Sequence, residues 1–246
     1  MALEQPSSAL FTDLYQLTMV RAFLRSGKAS EAVFSLFIRQ YPQDRGYFVF
    51  AGLEDALAYL EGFRFTRADI EHLRRSGRFD EGFLEHLAGV SFSGSVQAMR
   101  EGTVFFTDEP VIEVRAPLIE AQLVETRLIN IVNLQTILAT KASRVVEAAR
   151  GRPVVDFAAR RTHGMEASYS FARSAYLAGF EGTSNVGAAA EYGIRPVGTM
   201  AHSFITAFEG ETEAFREYAR SFPDDCTLLV DTYDTVEGVR LSLIHI

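Results

Sequence analysis

The sequence predicts an α/β fold in which an N-terminal α+β module is followed by an incomplete (β/α) barrel. After Pro153, short apolar runs alternate with helical segments, a pattern typical of a parallel sheet with covered faces. Before residue 117, helices and short strands are mixed without such repeats. We expect an α+β module over 1–116, a connecting helical region over 117–151, the first part of the barrel over 152–240, and a foreign tail over 241–246.

The composition is that of an ordinary globular protein. The chain has 246 residues, of which 48% are apolar and 23% charged, and its net charge is −8. No run of Lys or Arg is present, which argues against nucleic-acid binding. No apolar run of about 18 residues predicts a membrane span. We therefore expect neither nucleic acid nor a membrane as a partner.

The chain has a single cysteine, Cys226, which excludes an intrachain disulfide and a cysteine metal cage. This fits a reducing, cytoplasmic location. Residues 1–6 lack a basic region followed by an apolar core, so no signal peptide is expected. Cys226 begins the apolar run 226–230, and we predict that it is a core residue.

Local signals place the N-terminal elements. Thr12 is predicted to cap a helix that ends near Gly27. Residues 32–39 alternate as a strand with one apolar face, and 95–116 contain three further short strands. The sequence 66–69 has the form of a capping box, which satisfies two N–H groups at a helix start.

A long helical region follows Pro117 and ends at Gly151. Polar residues interrupt its apolar pattern at Asn130, Asn133 and Gln135. We therefore expect a bend, or two helices, rather than one straight helix.

Polar side chains follow the predicted barrel strands. The apolar runs 154–157, 196–200 and 226–230 are each followed by polar residues, among them Arg160, His202 and Asp231. In parallel barrels the carboxyl ends of the strands carry the catalytic groups. The sequence therefore predicts one polar rim centred on His202.

His202 admits two interpretations. A carboxylate such as Asp231 can fix the tautomer of an imidazole, which then acts as a base or a nucleophile. A hydrogen-bonded core histidine is the alternative, and position alone does not decide between them. Tyr15 is similarly open, because a ring off the apolar stripe can lie at a packing edge or at the mouth of a site.

Two features point to an anionic ligand. Arg160 can bind a phosphate through two hydrogen bonds, although a structural ion pair is the alternative. The sequence 182–185 offers small residues and backbone N–H groups near a helix start, which suits an anion. No P-loop or paired GxGxxG is present. The residues alone predict a barrel-type enzyme that acts on an anionic ligand.

At these positions the sequence resembles the nicotinate phosphoribosyltransferase family, a type II phosphoribosyltransferase family, over nearly the whole chain to about Arg240. Five motifs in this order are far more specific than any one of them. They are Thr12-Asp13-Leu14-Tyr15-Gln16-Leu17-Thr18-Met19, Arg45-Gly46-Tyr47, Glu181-Gly182-Thr183-Ser184-Asn185, Gly198-Thr199-Met200-Ala201-His202-Ser203 and Asp231-Thr232-Tyr233-Asp234-Thr235.

The resemblance implies that nicotinate and phosphoribosyl pyrophosphate are converted to nicotinate mononucleotide and pyrophosphate, a step of NAD salvage. It also implies coupled ATP hydrolysis, as in an ATP-dependent ligase, the use of Mg²⁺, and a homodimer. His202 matches the histidine that ATP phosphorylates, and Asp231 the carboxylate that orients it. Tyr15, reaching in from a neighbouring subunit, and Thr199 match nicotinate contacts. Arg160 matches an arginine near the ring and phosphate.

Ser184 bears on the choice of substrate. Related nicotinamide enzymes resemble this pattern but have aspartate at this position. An aspartate would repel the carboxylate of nicotinate, whereas serine is uncharged and can donate a hydrogen bond. We therefore expect the acid rather than the amide, with a nicotinamide-using relative as the alternative.

The sequence also departs from the family. The family's chain continues into an Asp-Ser-Gly-Asp type motif and a glycine-rich phosphate loop, which this sequence lacks, and residues 241–246 do not resemble the continuation. We expect a truncated chain and give His245 no role. A non-catalytic fragment is the alternative from a different class.

Overall fold

The structure, a computed structural model, describes residues 8–243. These residues form two compact units that divide between Ile194 and Arg195. The predicted lack of a signal peptide in residues 1–6 lies outside the described residues, and so do residues 244–246 of the predicted foreign tail over 241–246, which stays a prediction. The domain boundaries predicted from the sequence stay a prediction. Within the described range, no helix combines the length and the apolar character that crossing a membrane requires.

Helices and strands are mixed in the first unit, and they alternate only from α5 to α7. A 3-10 helix at Ser8–Leu10 precedes α1. The helices are α1 (Leu14–Arg25), α2 (Leu53–Glu61), α3 (Arg67–Arg75), α4 (Glu81–Gly89), α5 (Leu118–Ala149), α6 (Met165–Leu177) and α7 (Val186–Tyr192). The strands are β1 (Glu31–Leu36), β2 (Phe48–Val49), β3 (Ser95–Ala98), β4 (Val104–Phe105), β5 (Ile112–Pro117), β6 (Val155–Asp156) and β7 (Gly182–Thr183).

The strands pair in three small sheets. An antiparallel sheet has the order β1-β5-β3, with Val114 of β5 opposite Phe34 on one side and Val96 on the other. A second antiparallel pair joins β2 and β4. The pair β6 and β7 is parallel, and the helix α6 connects the two strands. Parallel pairing through a helical crossover is the building unit of the predicted barrel.

Most of the local predictions for the first unit are confirmed. Thr66 and Asp69 form a capping box at the start of α3, because each side chain accepts a hydrogen bond from the other residue's backbone N–H. The prediction that Thr12 caps α1 is wrong. Asp13 is the N-cap, and its carboxylate instead accepts a hydrogen bond from Thr126 of α5 at 3.0 Å.

The region after Pro117 is one continuous helix, α5, so the alternative of two helices is wrong. Its polar residues bind neighbouring elements instead of breaking the helix. Gln135 is buried and donates to Asp55 of α2. Asn130 is the exception, because it accepts from Arg127 of the same helix at 2.9 Å. Thr140 accepts from the backbone N–H of Val49 at 2.9 Å. The interrupted apolar pattern therefore reflects contacts with the β2 and α2 segments.

Helix α6 is held against the N-terminal part of the unit by a largely buried ion pair. Arg173 of α6 contacts Glu101 at 2.7 Å, and their side chains are 11% and 15% exposed. Glu101 also accepts from the N–H groups of Gly52 and Leu53, at 2.6 and 3.0 Å. It thereby binds N–H groups at the start of α2 that lack partners within the helix. This contact fixes the helix that lies between β6 and β7.

The second unit consists of helices and extended segments. Its helices are α8 (His202–Thr206), α9 (Glu211–Ser221) and α10 (Thr235–Ser242). They surround a small core of Ile205, Ala214 and Phe215, against which Leu228 and Val230 pack.

The predicted strands over 196–200 and 226–230 are wrong for the described residues. Apart from a single bridge residue at Pro196, both segments are irregular. An apolar run becomes a strand only where a neighbouring backbone offers ladder hydrogen bonds, and local sequence does not encode that partner. Cys226 is exposed, so its predicted place in the core is also wrong.

Candidate active site

The carboxyl end of the β6–β7 pair brings two predicted site residues to one edge of the sheet. Val155 lies opposite Gly182 and Asp156 opposite Thr183, so the segments that follow both strands leave on the same side. Arg160 belongs to the segment after β6, in a 3-10 helix at Ala159–Arg161. Ser184 directly follows β7. Side chains at the carboxyl ends of parallel strands are the common site of chemistry in α/β folds.

Asp156 organises this edge. It is 2% exposed, and its carboxylate accepts hydrogen bonds from the Ala158 N–H and from the Thr183 hydroxyl, each at 2.7 Å. Its backbone carbonyl accepts from the Ser184 N–H, also at 2.7 Å. A single buried residue thus binds both segments that carry the candidate site residues.

Asn185 continues the network towards the helices. Its N–H donates to the Thr183 hydroxyl at 3.1 Å, and its side-chain amide donates to Ser168 of α6 at 2.9 Å. Its side-chain oxygen caps α7 by accepting from the Ala188 N–H. The N–H groups of Ser184 and Asn185 are therefore already bonded within the protein, and the anion binding predicted for 182–185 stays a prediction.

Arg160 and Ser184 present side chains that are free for a ligand. Arg160 is exposed, and within residues 8–243 its guanidinium has no salt bridge or hydrogen bond. Ser184 is half-buried, and its hydroxyl likewise has no hydrogen bond there. The structure thus gives no support to the alternative that Arg160 is a structural ion-pair residue.

Phe157 is a candidate that the sequence analysis missed. It lies between Asp156 and Arg160, and its ring is 48% exposed although it directly follows a strand. An exposed phenyl ring beside polar groups offers a flat apolar surface to a planar ligand. A large apolar residue at the predicted strand end was the signal in the sequence.

Tyr15 lies on α1, and its ring is 53% exposed. Its pKa is raised by partial burial and by the negative charges of Glu125 and Asp13, so the phenol is neutral at physiological pH. Among the described residues no hydrogen bond joins Tyr15 to Arg160 or Ser184.

The remaining three predicted residues belong to the second unit. His202 is the first residue of α8 and is exposed, and its Nδ1 lies 3.3 Å from the hydroxyl oxygen of Thr232. Asp231 precedes Thr232 and is exposed. The structure thus identifies Thr232 as the partner of His202, and the role of Asp231 as its orienting carboxylate stays a prediction. Thr199 is exposed, and its hydroxyl donates to the Met200 carbonyl at 3.2 Å.

The described residues do not form a metal site by themselves. No group of three or more His, Cys, Asp or Glu side chains converges within the described part of the chain. Mg²⁺ usually needs only one or two protein carboxylates when it binds together with phosphates of a substrate. No chemical step is therefore assigned to a protein-bound ion here.

The described residues thus define an α/β protein with polar side chains at the carboxyl end of a parallel strand pair. Family models narrow the class. The nicotinate phosphoribosyltransferase N-terminal domain matches residues 10–133, and the nicotinate phosphoribosyltransferase family matches residues 153–242. The chain belongs to the nicotinate phosphoribosyltransferase family, as the resemblance of its motifs predicted.

Individual relatives agree with the family models. The chain is 54% identical to nicotinate phosphoribosyltransferase pncB2 of Mycobacterium tuberculosis over 97% of its own length and 51% of the relative's. It is 46% identical to nicotinate phosphoribosyltransferase of Bacillus subtilis over 98% of its length and 49% of the relative's. The chain thus spans about half the length of the curated relatives that it matches.

A solved structure shows the same fold. The crystal structure of human nicotinic acid phosphoribosyltransferase matches with a TM-score of 0.86 and 28% identity, over 96% of this chain and 58% of the human chain.

Proposed function

We propose that this chain carries part of a nicotinate phosphoribosyltransferase active site in NAD biosynthesis, in the salvage of nicotinate. The observation that carries the proposal is the edge of the β6–β7 pair, where an unpaired guanidinium and a free serine hydroxyl accompany the family's motifs. In the reaction, the ring nitrogen of nicotinate forms a bond to C1 of the ribose. The bond from C1 to pyrophosphate breaks, and pyrophosphate leaves.

Arg160 binds the anionic part of the substrates in this proposal. An exposed guanidinium without a carboxylate partner in the described residues is available for a bidentate contact with phosphate or carboxylate. Charge at this position also offsets the negative charge that develops on departing pyrophosphate. Phe157 contributes an apolar surface for the pyridine ring.

Ser184 selects the acid over the amide. Its hydroxyl has no partner in the described residues and can donate to the carboxylate of nicotinate. A serine at this position introduces no negative charge that would repel that carboxylate. The substrate preference for nicotinate rests on this residue, and a nicotinamide-using relative is the alternative.

His202 accepts a phosphoryl group from ATP. The bond between the γ-phosphorus and ADP breaks as a bond from phosphorus to a ring nitrogen forms, and the ring loses a proton. The exposure of His202 supports access by ATP, and the Thr232 hydroxyl 3.3 Å from Nδ1 can hold the ring orientation. Asp231, next to Thr232, orients the imidazole of His202, and Thr199 contacts nicotinate.

Coupling to ATP hydrolysis drives phosphoribosyl transfer in the direction of nicotinate mononucleotide. Substrates bind more tightly to the phosphorylated form, and hydrolysis of that form makes an otherwise unfavourable direction favourable. Mg²⁺ reaches the site with the phosphates of ATP and phosphoribosyl pyrophosphate, since the described residues contain no cluster that holds it alone.

We place the reaction in the cytoplasm, where a single free cysteine is stable.

Tyr15 serves the site of a second subunit, so the active form is a homodimer. The side chains of Phe11, Leu14 and Tyr15 are 48%, 47% and 53% exposed at the start of α1. Clustered exposed apolar residues mark interaction surfaces.

The test combines ATP labelling with product formation by the 246-residue chain. We expect an acid-labile, alkali-stable phosphate on the chain that disappears in His202→Ala. His163→Ala is the matched control, since His163 is also exposed and follows β6, and it should keep the label. Nicotinate mononucleotide should form from nicotinate and phosphoribosyl pyrophosphate. Absence of both label and product would support a non-catalytic chain and overturn the proposal.

A further inference from the structure

We propose that Asp156 is a positioning residue that sets Arg160 and Ser184 together as one unit, an inference that rests on the proposed function. Neither the carboxylate nor the hydroxyl of Thr183 that it binds is accessible to a substrate, because Asp156 is 2% and Thr183 0% exposed. Both therefore act through the segments that they hold.

The first contact orients the segment after β6. One carboxylate oxygen of Asp156 accepts the Ala158 N–H at 2.7 Å, which closes a tight turn two residues before Arg160. A carboxylate that accepts a backbone N–H two residues ahead is a recurrent turn-forming device. The direction in which Arg160 leaves the sheet therefore depends on the charge and position of this carboxylate.

The second contact orients the segment after β7. The other carboxylate oxygen accepts the Thr183 hydroxyl at 2.7 Å, and that hydroxyl accepts the Asn185 N–H at 3.1 Å. The Ser184 N–H, between them, donates to the Asp156 carbonyl. Consecutive hydrogen bonds in a buried setting strengthen one another. The backbone on both sides of Ser184 is thus held through Asp156.

Within residues 8–243, no cationic side chain contacts the Asp156 carboxylate. The hydrogen bonds from Ala158 and Thr183 therefore stabilise its buried charge there. The carboxylate accepts both donors at once, whereas the amide of Asn can still accept the Ala158 N–H through its oxygen and donate to the Thr183 hydroxyl, which is also an acceptor. Asp156→Ala removes both acceptor oxygens and therefore releases both segments, whereas Asp156→Asn is the conservative variant that can retain both contacts. Thr183→Val removes only the link to Ser184, and Thr183→Ser retains it.

The experiment measures hydrogen–deuterium exchange and steady-state kinetics on the 246-residue chain. In Thr183→Val we expect faster exchange in peptides that cover 183–185. In Asp156→Ala we expect faster exchange both there and in peptides that cover 157–161, with peptides of α3 and α4 unchanged in either variant. The KM for nicotinate should rise about 10-fold or more with a smaller change in kcat, because the ligand-binding geometry is loosened. Thr183→Ser should restore both exchange and KM.

Thr136→Val controls for general destabilisation. Thr136 is equally buried, and its hydroxyl bonds the Ala51 backbone far from this edge in sequence. It should lower thermal stability without raising the KM for nicotinate. Unchanged exchange at 157–161 and 183–185 in Asp156→Ala would overturn the positioning role whether or not the chain is active. A KM that rises as much in Thr136→Val would also overturn it. An unmodified chain that makes no nicotinate mononucleotide would overturn the proposed function alone.

Discussion

Arg173 of α6 and Glu101, in the turn before β4, form a two-point ion pair between residues 72 positions apart, with Nη1 2.9 Å from Oε1 and Nη2 2.7 Å from Oε2. The same carboxylate accepts the N–H groups that begin α2. Helix α6 connects the two strands of the candidate site, so this pair fixes the scaffold on which Arg160 and Ser184 are placed.

Removing the charge at Glu101 should destabilise the first unit. Glu101→Gln leaves Arg173 largely buried with only the exposed Glu54 as a carboxylate partner, and we expect a loss of about 3 kcal/mol in the free energy of unfolding. Denaturant unfolding followed by circular dichroism measures it. Glu217→Gln, in the exposed pair with Arg220, is the control and should change stability by no more than about 0.5 kcal/mol. Equal effects of the two variants would contradict the structural role of the pair.

The contribution of Glu101 should depend on pH. Burial alone would raise the pKa of Glu101, but hydrogen bonds and the charge of Arg173, with the N–H groups of Gly52 and Leu53, hold it below its usual value. A lowered pKa in the folded state stabilises the protein above the unfolded pKa of about 4.3, and this stability is lost as the pH falls through the folded pKa. The difference in unfolding free energy between the unmodified chain and Glu101→Gln should be constant near neutral pH and shrink in acid. A difference that does not vary down to about pH 3 would contradict this assignment.

Ser184→Asp should shift substrate preference from nicotinate towards nicotinamide. The new carboxylate repels the nicotinate carboxylate and can accept the amide N–H of nicotinamide, so the ratio of kcat/KM for acid over amide should fall about 10-fold or more. Competition between the two substrates measures the ratio. Ser184→Asn adds bulk without charge and should change the ratio less. If the asparagine variant matches the aspartate variant, steric size rather than charge controls selection.

Gly238→Ala should destabilise the second unit. A β-carbon at Gly238 of α10 would overlap the backbone carbonyl of Val230, just before Asp231. Relief of such an overlap costs about 1–3 kcal/mol, and it should displace the segment that carries Thr232, the partner of His202. Nuclear magnetic resonance of the His202 ring and thermal unfolding detect both effects. Gly198→Ala, where a β-carbon meets open space, should leave stability unchanged. An unperturbed His202 signal in Gly238→Ala would contradict the coupling.

Thr66→Ala should weaken α3 through its N-cap. The Thr66 hydroxyl accepts from the Asp69 N–H at 3.2 Å, and loss of such a cap costs about 1 kcal/mol. Chemical unfolding detects this change, and Thr227→Ala at an exposed, irregular position is the control. A cost no larger than that of the control would show that the cap contributes nothing.

The sequence by itself determined the helix caps and the strand alternation that depend only on residues a few positions apart. The capping box at Thr66, the cap at Asp80 and the alternation of β1 depend on neighbours in the chain, and all three are found in the structure. The five motifs also identified the family, because their order and residue types carry information beyond local physics.

Tertiary structure alone decided the contacts between distant residues. The apolar run 226–230 has the composition of a strand but finds no ladder in the described residues, and Cys226 is therefore exposed. Polar residues interrupt the apolar pattern of α5 in the sequence, and only the structure shows that Gln135 and Thr140 bind partners on α2 and β2. Asp156 and Thr183 have ordinary local patterns, and only the parallel register of β6 and β7 places carboxylate and hydroxyl together. Periodicity reports which face of an element is apolar, whereas hydrogen-bond partners depend on which elements meet in three dimensions.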